Sequence, residues 1–495
     1  MPMREIIGAT FKTGIGSAIS MIFSAIFSKI MALITGPFGI GLYSMIQQLV
    51  TTSSTAGTVG GGHIALTQGV ACRKDRDRDE FIITVFWIFT VGALVSALTL
   101  IFLAPWIAPF AFGMNDETTI WMVRWIALPT TLMIGLFYLY GVLNGFREIG
   151  RLAIMQVASS GVSAILAYPV SSLANTGYFV AFVGLMSASI SAQIVVGFAK
   201  AYRSGYLRPV ISNGFRPKIK WEMTRSFFVL SGTLLVTGVV GTVSILIVRA
   251  LIVQYGGLDD AGIFNVAWSI CMMYPTIILG SFGTYYFPTL SQTTSRERRI
   301  MLMRDVFRLS TLLTAPLLLL MIVLKPLIIN LLYTEDFLPS LEIVRWMLIG
   351  LYLKTASWVF SMPMIAFPDM KVYFWIENLW YAGFMIFSLL SIVFLGNPEI
   401  IGLGFMALYV VYLLYTIYYA RSKHGFTSNR RLTTTWVAGL VLIVIASAQT
   451  WSWLEVDWLV AVIWIAAIGT FLMLATTKQE RKHLRTLFTR RTMRS

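Results

Sequence analysis

Long apolar runs alternate with short polar segments along the whole chain. Most runs have roughly the 20 residues that a helix needs to cross a hydrocarbon core of about 30 Å, and several are longer. Soluble cores do not show apolar runs of this length. The pattern predicts an all-α polytopic membrane protein with about fourteen transmembrane helices. We place them at residues 8–34, 38–70, 82–111, 118–143, 152–172, 178–202, 222–254, 261–290, 304–333, 340–366, 372–396, 401–420, 435–452 and 457–476.

The polar segments fall into two classes by charge. Every second segment contains Lys or Arg, as at residues 73–78 and 203–220, whereas the alternate segments contain acidic residues such as Asp116 and Asp259 and no Lys or Arg. Cytoplasmic loops of membrane proteins collect Lys and Arg. We therefore expect an even number of helices, both termini in the cytoplasm, short outer loops and no soluble domain.

The overall composition agrees with a membrane protein. Only 12% of the residues are charged, which is too few to cover the surface of a water-soluble globule of this size. A net charge of +16 would suggest nucleic acid in a soluble protein, but here the basic cytoplasmic loops explain it. We expect no nucleic-acid partner. The basic tail at residues 477–495 is expected to lie on anionic lipids of the inner leaflet.

An internal repeat is present at an offset of 221 residues. The tripeptide Val123-Arg124-Trp125 matches Val344-Arg345-Trp346 at this offset. Gly41-Leu42-Tyr43 matches Gly262-Ile263-Phe264 in the same way. Since six helices per half is an even number, the halves should share one topology and be related by an axis along the membrane normal. The predicted division is an N-terminal six-helix lobe at 1–203, a cytoplasmic linker at 204–221, a C-terminal six-helix lobe at 222–421, an additional helix pair at 435–476 and the basic cytoplasmic tail at 477–495.

Charged residues inside the predicted spans are the strongest functional signal. A charge at bilayer depth costs at least about 2.5–3.5 kcal/mol, so it normally faces a cavity or a partner. A surplus of positive charge predicts a water-filled cavity that attracts anions, unless the long side chains reach the interface instead. The basic residues are Lys29, Arg124, Arg249, Lys325, Arg345 and Lys354, and Glu377 is the carboxylate well inside a span.

Position along the helices ranks these cations. Lys354 lies about 20 Å from either end of its helix at a rise of 1.5 Å per residue, so it cannot easily reach the interface. Arg345, nine residues earlier, faces the opposite side of the helix and ranks lower. Lys29 and Arg249 occupy matching depths in the two halves, and such a pair of cations would suit a diphosphate. The predicted substrate-binding cations are Lys29, Arg249, Lys354 and Arg124, and Glu377 is a predicted ion-coupling residue or charge partner.

Four short motifs occur in order across roughly residues 5–420. They are KIMALITGPFGIGLY at 29–43, NGFR at 144–147, AGIF at 261–264 and FPTLS at 287–291. Together they resemble the Wzx-type O-antigen flippases of the multidrug/oligosaccharidyl-lipid/polysaccharide exporter superfamily. The resemblance implies two six-helix lobes and alternating access. It also implies that an undecaprenyl-diphosphate-linked oligosaccharide, an O-antigen or related polysaccharide repeat unit, moves from the cytoplasmic to the outer leaflet of the cell inner membrane.

The additional helix pair departs from this family, because many Wzx-type members are twelve-helical. In the lipid II flippases of the same superfamily, a similar pair forms a groove for the lipid tail. A lipid II flippase is therefore an alternative within the transporter class. Partners that the resemblance implies are the lipid-linked oligosaccharide, polysaccharide polymerase and chain-length proteins.

Two other functions agree less well with the sequence. A multidrug or cation antiporter of the same superfamily generally needs buried carboxylates, and the first predicted lobe has none inside its spans. An enzyme such as a polysaccharide polymerase or ligase usually needs a sizeable outer loop, so we expect no enzyme. Walker motifs, metal-ligand clusters and nucleophile elbows are not visible, so no cofactor or metal is expected. Coupling to a proton or sodium gradient is left open.

Overall fold

The structure, a computed structural model, describes residues 3–212, 220–293, 295–367, 369–397 and 399–476. The basic tail at 477–495 and residues 213–219 of the predicted linker lie outside these ranges. The helices are α1 Met3–Gly57, α2 Gly62–Cys72, α3 Asp75–Phe112, α4 Glu117–Trp125, α5 Ala127–Gly145, α6 Ile149–Asn175, α7 Val180–Arg203, α8 Arg208–Ser212, α9 Trp221–Gln292, α10 Arg296–Val323, α11 Lys325–Leu332, α12 Leu341–Ala366, α13 Met370–Leu389, α14 Glu399–His424, α15 Arg430–Gln449 and α16 Trp458–Ala475.

Twelve helical stretches of the described chain are long and apolar enough to cross a membrane, and two of them contain a non-helical glycine. Gly36 in α1 has φ 59° and ψ −159°, and Gly257 in α9 has φ 83° and ψ −177°. This combination is essentially restricted to glycine. Each break divides its stretch in two, which confirms the predicted count of about fourteen segments. The two glycines are 221 residues apart, which is the offset of the sequence repeat.

Side chains on either side of each break show that the chain turns back there. The rings of Phe27 and Tyr43 flank Gly36, and their centroids are 5.5 Å apart. In a straight helix the same residues would be separated by about 24 Å along the axis. Arg249 and Phe264 flank Gly257 in the same way, with the guanidinium carbon 5.9 Å from the ring centroid. The short turns predicted between the helices are therefore present at both places.

Contacts group the chain into two compact units. The first consists of Met1–Asn265, Leu332–Phe337 and Glu377–Gly396. The second consists of Val266–Leu331, Leu338–Ile376 and Asn397–Ser495. The predicted lobe boundaries at residues 203 and 222 stay a prediction.

Within the first unit, two glycines related by the repeat bring α1 and α9 into backbone contact. A Cβ at Gly41 would lie 1.9 Å from the carbonyl oxygen of Leu258. A Cβ at Gly262 would lie 2.0 Å from the carbonyl oxygen of Pro37. Since Pro37 and Leu258 are also 221 residues apart, the same contact is made twice, once in each direction. Small residues permit this close approach of membrane helices.

Within the second unit, the additional pair α15 and α16 packs on α10, and α15 also packs on α12. Tyr352 of α12 donates a hydrogen bond from its hydroxyl to the carbonyl of Trp436 at 2.9 Å. The two rings stack with centroids 5.6 Å apart. Gly439, one turn further along α15, leaves room for the same tyrosine hydroxyl. The pair is thus joined to the rest of the second unit by specific contacts as well as by apolar packing.

Candidate functional site

The predicted site residues are distributed over both compact units. Lys29, Arg124, Arg249 and Glu377 belong to the first unit, and Lys354 belongs to the second.

Arg249 on α9 is the most deeply buried of these residues, with 6% of its surface exposed. Its Nη1 donates one long hydrogen bond of 3.4 Å to the carbonyl of Ser44 on α1. Its Nε has no hydrogen-bond partner within the described chain, and none of the described carboxylates pairs with it. A guanidinium has five N–H donors, and leaving them unmet in a buried place is costly. Arg249 therefore has hydrogen-bonding capacity to offer an anion.

Polar side chains continue from Arg249 along α9. On the side of α1, Gln48 Nε2 donates to the carbonyl of Thr242 at 3.0 Å, and Thr52 Oγ1 donates to the same oxygen at 3.3 Å. On the side of α13, Asn378 Nδ2 donates to Thr237 Oγ1 at 3.4 Å. We call this row the polar seam. It comprises Ser44, Gln48, Thr52, Thr237, Thr242, Arg249 and Asn378.

The sequence analysis missed most of the polar seam. Apart from Arg249 its members are uncharged, and a single uncharged polar residue within an apolar run is a weaker signal than a charge. A usable signal was the spacing of Gln48 and Thr52, which are one helical turn apart in an apolar span and so share a face.

Lys29 lies on α1, before the Gly36 turn, and is half-buried. Its Nζ donates to the backbone carbonyl of Tyr333 at 2.5 Å. Arg249 instead uses the carbonyl of Ser44, so the two cations hold different backbone groups. Their joint use on one diphosphate stays a prediction.

Glu377 and Lys354 have surroundings of different kinds. Glu377 is half-buried on α13, one turn before Tyr381, with which it interacts electrostatically. Lys354 on α12 is also half-buried, although its neighbours are all buried. Its Nζ lies 4.0 Å from the sulfur of Met272 and 5.4 Å from the ring centroid of Tyr409. A cation over an aromatic face is stabilised by the ring quadrupole, so part of the Lys354 charge is compensated by Tyr409.

Arg124 lies in the last turn of α4, with its guanidinium carbon 4.8 Å from the ring centroid of Trp121. A cation in the last turn also interacts favourably with the negative end of the helix dipole. The role of Arg124 in substrate binding stays a prediction.

Lys325 and Arg345 have a structural explanation. Lys325 is 2% exposed, and its Nζ donates to the carbonyl of Thr450 at 2.6 Å. Arg345 Nη1 donates to the carbonyl of Trp451 at 3.1 Å, and its guanidinium lies 3.9 Å from the centroid of that indole. Arg345 also forms an ion pair with Glu399 at 2.8 Å. We call Lys325 and Arg345 the helix-end clamp.

The helix-end clamp binds the carboxyl end of α15. The last carbonyls of a helix lack partners inside the helix and carry a partial negative charge. Lys325 on α11 and Arg345 on α12 bring positive charge to this helix end by donating to the carbonyls of Thr450 and Trp451, the two residues that directly follow α15. Lys325 and Arg345, which are not among the predicted substrate-binding cations, therefore have structural partners.

Comparison with solved structures identifies the fold. The lipid II flippase MurJ in an inward closed conformation matches with a TM-score of 0.71 and 14% identity, over 97% of this chain and 100% of that one. An inward-facing multidrug resistance MATE family transporter of the MOP superfamily matches with a TM-score of 0.66 and 15% identity, over 83% and 96% of the two chains. The chain thus has the fold of the MOP-superfamily transporters.

The chain belongs to the polysaccharide biosynthesis protein family, which matches residues 66–342. The lipid III flippases of Escherichia coli (strain K12) and Shigella flexneri are each 28% identical to it over 399 residues. The similar region covers 78% of this chain and 90% of each relative. The resemblance predicted from the four short motifs is confirmed.

Proposed function

We propose that this protein is a flippase for a lipid-linked oligosaccharide. It moves an undecaprenyl-diphosphate-linked O-antigen or related polysaccharide repeat unit from the cytoplasmic to the outer leaflet of the inner membrane, with both termini in the cytoplasm. Membership of the polysaccharide biosynthesis family and the similarity to lipid III flippases support this proposal. The proposed partners are the lipid-linked oligosaccharide itself and, beside it in the membrane, a polysaccharide polymerase and chain-length proteins.

The proposal rests mainly on the burial of Arg249 and on its unused hydrogen-bond donors. Its guanidinium is buried at membrane depth, bonded to one carbonyl at a long distance, and it has an Nε without a hydrogen-bond partner in the described chain. A diphosphate offers several charged oxygens, and a guanidinium binds such groups with two parallel hydrogen bonds. The polar seam beside Arg249 provides amide and hydroxyl groups that suit sugar hydroxyls. Lys29, in the same unit as Arg249, is a further proposed cation of this site. Lys354, in the second unit, is a further proposed substrate-binding cation.

Alternating access gives the Gly41–Gly262 contact a role in the cycle. Both glycines follow the turns at Gly36 and Gly257, and the contact holds α1 and α9 together there. With both termini in the cytoplasm, as we propose, these turns lie on the outer side of the membrane. Release of the substrate toward the outer leaflet requires these segments to separate. Glu377 is the proposed ion-coupling carboxylate or charge partner, with a proton or sodium gradient as the energy source.

Substitutions at Arg249 test the proposal. Arg249→Lys keeps the charge, Arg249→Gln removes it, and Arg421→Gln is the control because Arg421 is exposed in the last turn of α14. Hydrogen bonds to charged groups contribute about 1.5–3 kcal/mol, so we expect Arg249→Gln to lower export by roughly 10- to 150-fold, with Arg249→Lys in between. The measurement is the amount of lipid-linked glycan that an impermeant lectin reaches on spheroplasts, at equal protein levels. Export by Arg249→Gln at the rate of Arg421→Gln would remove the basis of the proposal.

Lipid II is a second candidate substrate. The match to the lipid II flippase covers 97% of this chain, and so includes at least part of the additional pair. Expression in cells depleted of their own lipid II flippase separates the two candidates. Restored growth supports lipid II, whereas restored surface glycan in an O-antigen export mutant supports the proposed oligosaccharide.

A further inference from the structure

A cavity of about 320 Å³ lies within the first unit, between α3, α5, α7 and α8. Its size is at the lower end of the roughly 300–1,000 Å³ that is usual for ligand pockets. It opens on one side, where Thr90, Thr131 and Phe198 are exposed. Phe89 and Ile134 form part of its buried wall.

The polar side chains of this wall are three hydroxyls, and each has its donor engaged. The hydroxyls of Thr90 and Thr131 donate to backbone carbonyls of their own helices, at 2.8 Å and 2.9 Å. The hydroxyl of Tyr138 donates to the carbonyl of Ile82 at 3.3 Å. Water and sugars need several polar partners in a cavity, and the rest of this wall is apolar. The chemistry of the cavity therefore selects a hydrocarbon chain.

The cavity ends at a basic edge. Leu207 and Val210 close it from the side of α8. Arg203 ends α7 and Arg208 begins α8, and both side chains are exposed. Neither forms an ion pair with a described carboxylate, so both are available to a negatively charged group at the surface.

We propose that this cavity binds one acyl chain of an anionic phospholipid, with the phosphate head group beside Arg203 and Arg208. The lipid comes from the leaflet that faces the basic loops. Bound in this way, it connects α8 to α3, α5 and α7, which stabilises the first unit by mass action.

The site is separate from the proposed transport site. The polar seam is built on α1, α9 and α13, and none of these helices contributes a residue to the cavity. A transported lipid with its chain in this cavity would have its diphosphate beside Arg203 and Arg208 rather than at Arg249. The occupant is therefore a resident phospholipid rather than the lipid that is moved.

Gly135→Leu tests the acyl-chain site. Gly135 lines the cavity, and a Cβ there would meet no atom within 4 Å, so a larger side chain can project into the cavity without a clash. Gly184→Leu on α7 is the matched control, because Gly184 is equally open but lies outside the lining. Ala93→Leu is a second filling variant from another helix, which keeps the test valid if one variant does not fold.

The probe is phosphatidylglycerol with a diazirine at the end of one acyl chain, in vesicles of phosphatidylethanolamine and phosphatidylglycerol that contain the full-length protein. We expect ultraviolet light to attach it to α3, α5, α7 or α8 near the cavity in the wild type and in Gly184→Leu. Labelling should fall by about tenfold in Gly135→Leu and Ala93→Leu, as expected for the loss of roughly two buried methylenes. Equal labelling of filled and control variants would overturn the proposal.

Two further measurements test the head group and the identity of the lipid. The variant with both Arg203→Gln and Arg208→Gln should lose the preference for phosphatidylglycerol over an equally labelled phosphatidylcholine. No preference in the wild type would overturn the anionic head group. Displacement of the probe by undecaprenyl diphosphate as readily as by unlabelled phosphatidylglycerol would assign the cavity to the transported lipid and overturn the resident one. Because labelling does not require transport, these results are independent of the glycan-export test.

Discussion

Adding one methyl group at Gly41 or Gly262 tests whether backbone contact holds α1 to α9. A Cβ at Gly41 would lie 1.9 Å from the carbonyl oxygen of Leu258, whereas ordinary contact begins at 3.4 Å. The segments must therefore move apart by about 1.5 Å, which removes most of the dispersion energy at the contact. Overpacking costs typically about 1–3 kcal/mol. The obstructing atom belongs to the backbone, so we expect Gly41→Ala and Gly262→Ala each to cost about 3 kcal/mol.

The double substitution makes the prediction more specific. Because the contact is made in both directions between the same two segments, one separation relieves both clashes. The variant with both Gly41→Ala and Gly262→Ala should therefore cost about as much as one substitution, which gives a coupling energy of about 3 kcal/mol. Gly184→Ala is the control, since its Cβ would meet no atom within 4 Å. It should change stability by no more than about 0.5 kcal/mol.

The assay is unfolding of the purified protein in detergent, compared among the wild type, the two single variants, the double variant and Gly184→Ala. Additive losses in the double variant would mean that two independent contacts are broken and would refute the reasoning. So would a neutral effect of either single substitution, because no rearrangement of side chains alone can make room at a backbone oxygen.

Two other predictions concern helix ends. Arg345→Ala leaves Glu399 and the Trp451 carbonyl without their cation, so we expect a loss of about 3–5 kcal/mol and faster amide exchange at the end of α15, whereas unchanged exchange there would contradict the helix-end clamp. At the start of α4, hydrogen bonds from Thr118 and Thr119 hold the pKa of Asp116 below its usual value. The contribution of this carboxylate is therefore complete above about pH 4 and is lost as the pH falls through its folded-state pKa. Asp116→Ala should cost about 1 kcal/mol at neutral pH and less in acid, measured by unfolding against pH, and an equal cost at both pH values would count against the cap.

The sequence was sufficient to predict features that follow from the length of apolar runs or from an internal repeat. Apolar runs gave the number of segments, and the 221-residue offset correctly paired Gly41 with Gly262. It could not show what either glycine does, because contact between two helices depends on how they pack. The 221-residue offset of the repeat nevertheless identified two positions, Gly41 and Gly262, where a side chain does not fit.

The partners of the cations could not be predicted for a different reason. Lys29, Lys325 and Arg345 all donate to backbone carbonyls. Every residue has a carbonyl, so nothing in the sequence distinguishes the one that accepts. Counting carboxylates therefore overstated the unpaired positive charge. Arg249 differs from these three residues, since its single long hydrogen bond leaves most of its donors for another group.

The helix-end clamp has a consequence for how the protein is made. Lys325 and Arg345 hold carbonyls that follow them by 125 and 106 residues. At about 5–20 residues per second, the ribosome adds Thr450 on the order of 5–25 s after Lys325. During that interval α11 and α12 carry cations that have no helix end to bind. The second unit can therefore reach its final packing only after α15 has entered the membrane, and a chain cut short before α15 would leave Lys325 in apolar surroundings without its acceptor. The order of synthesis thus makes the final packing of α11 and α12 depend on the later arrival of α15.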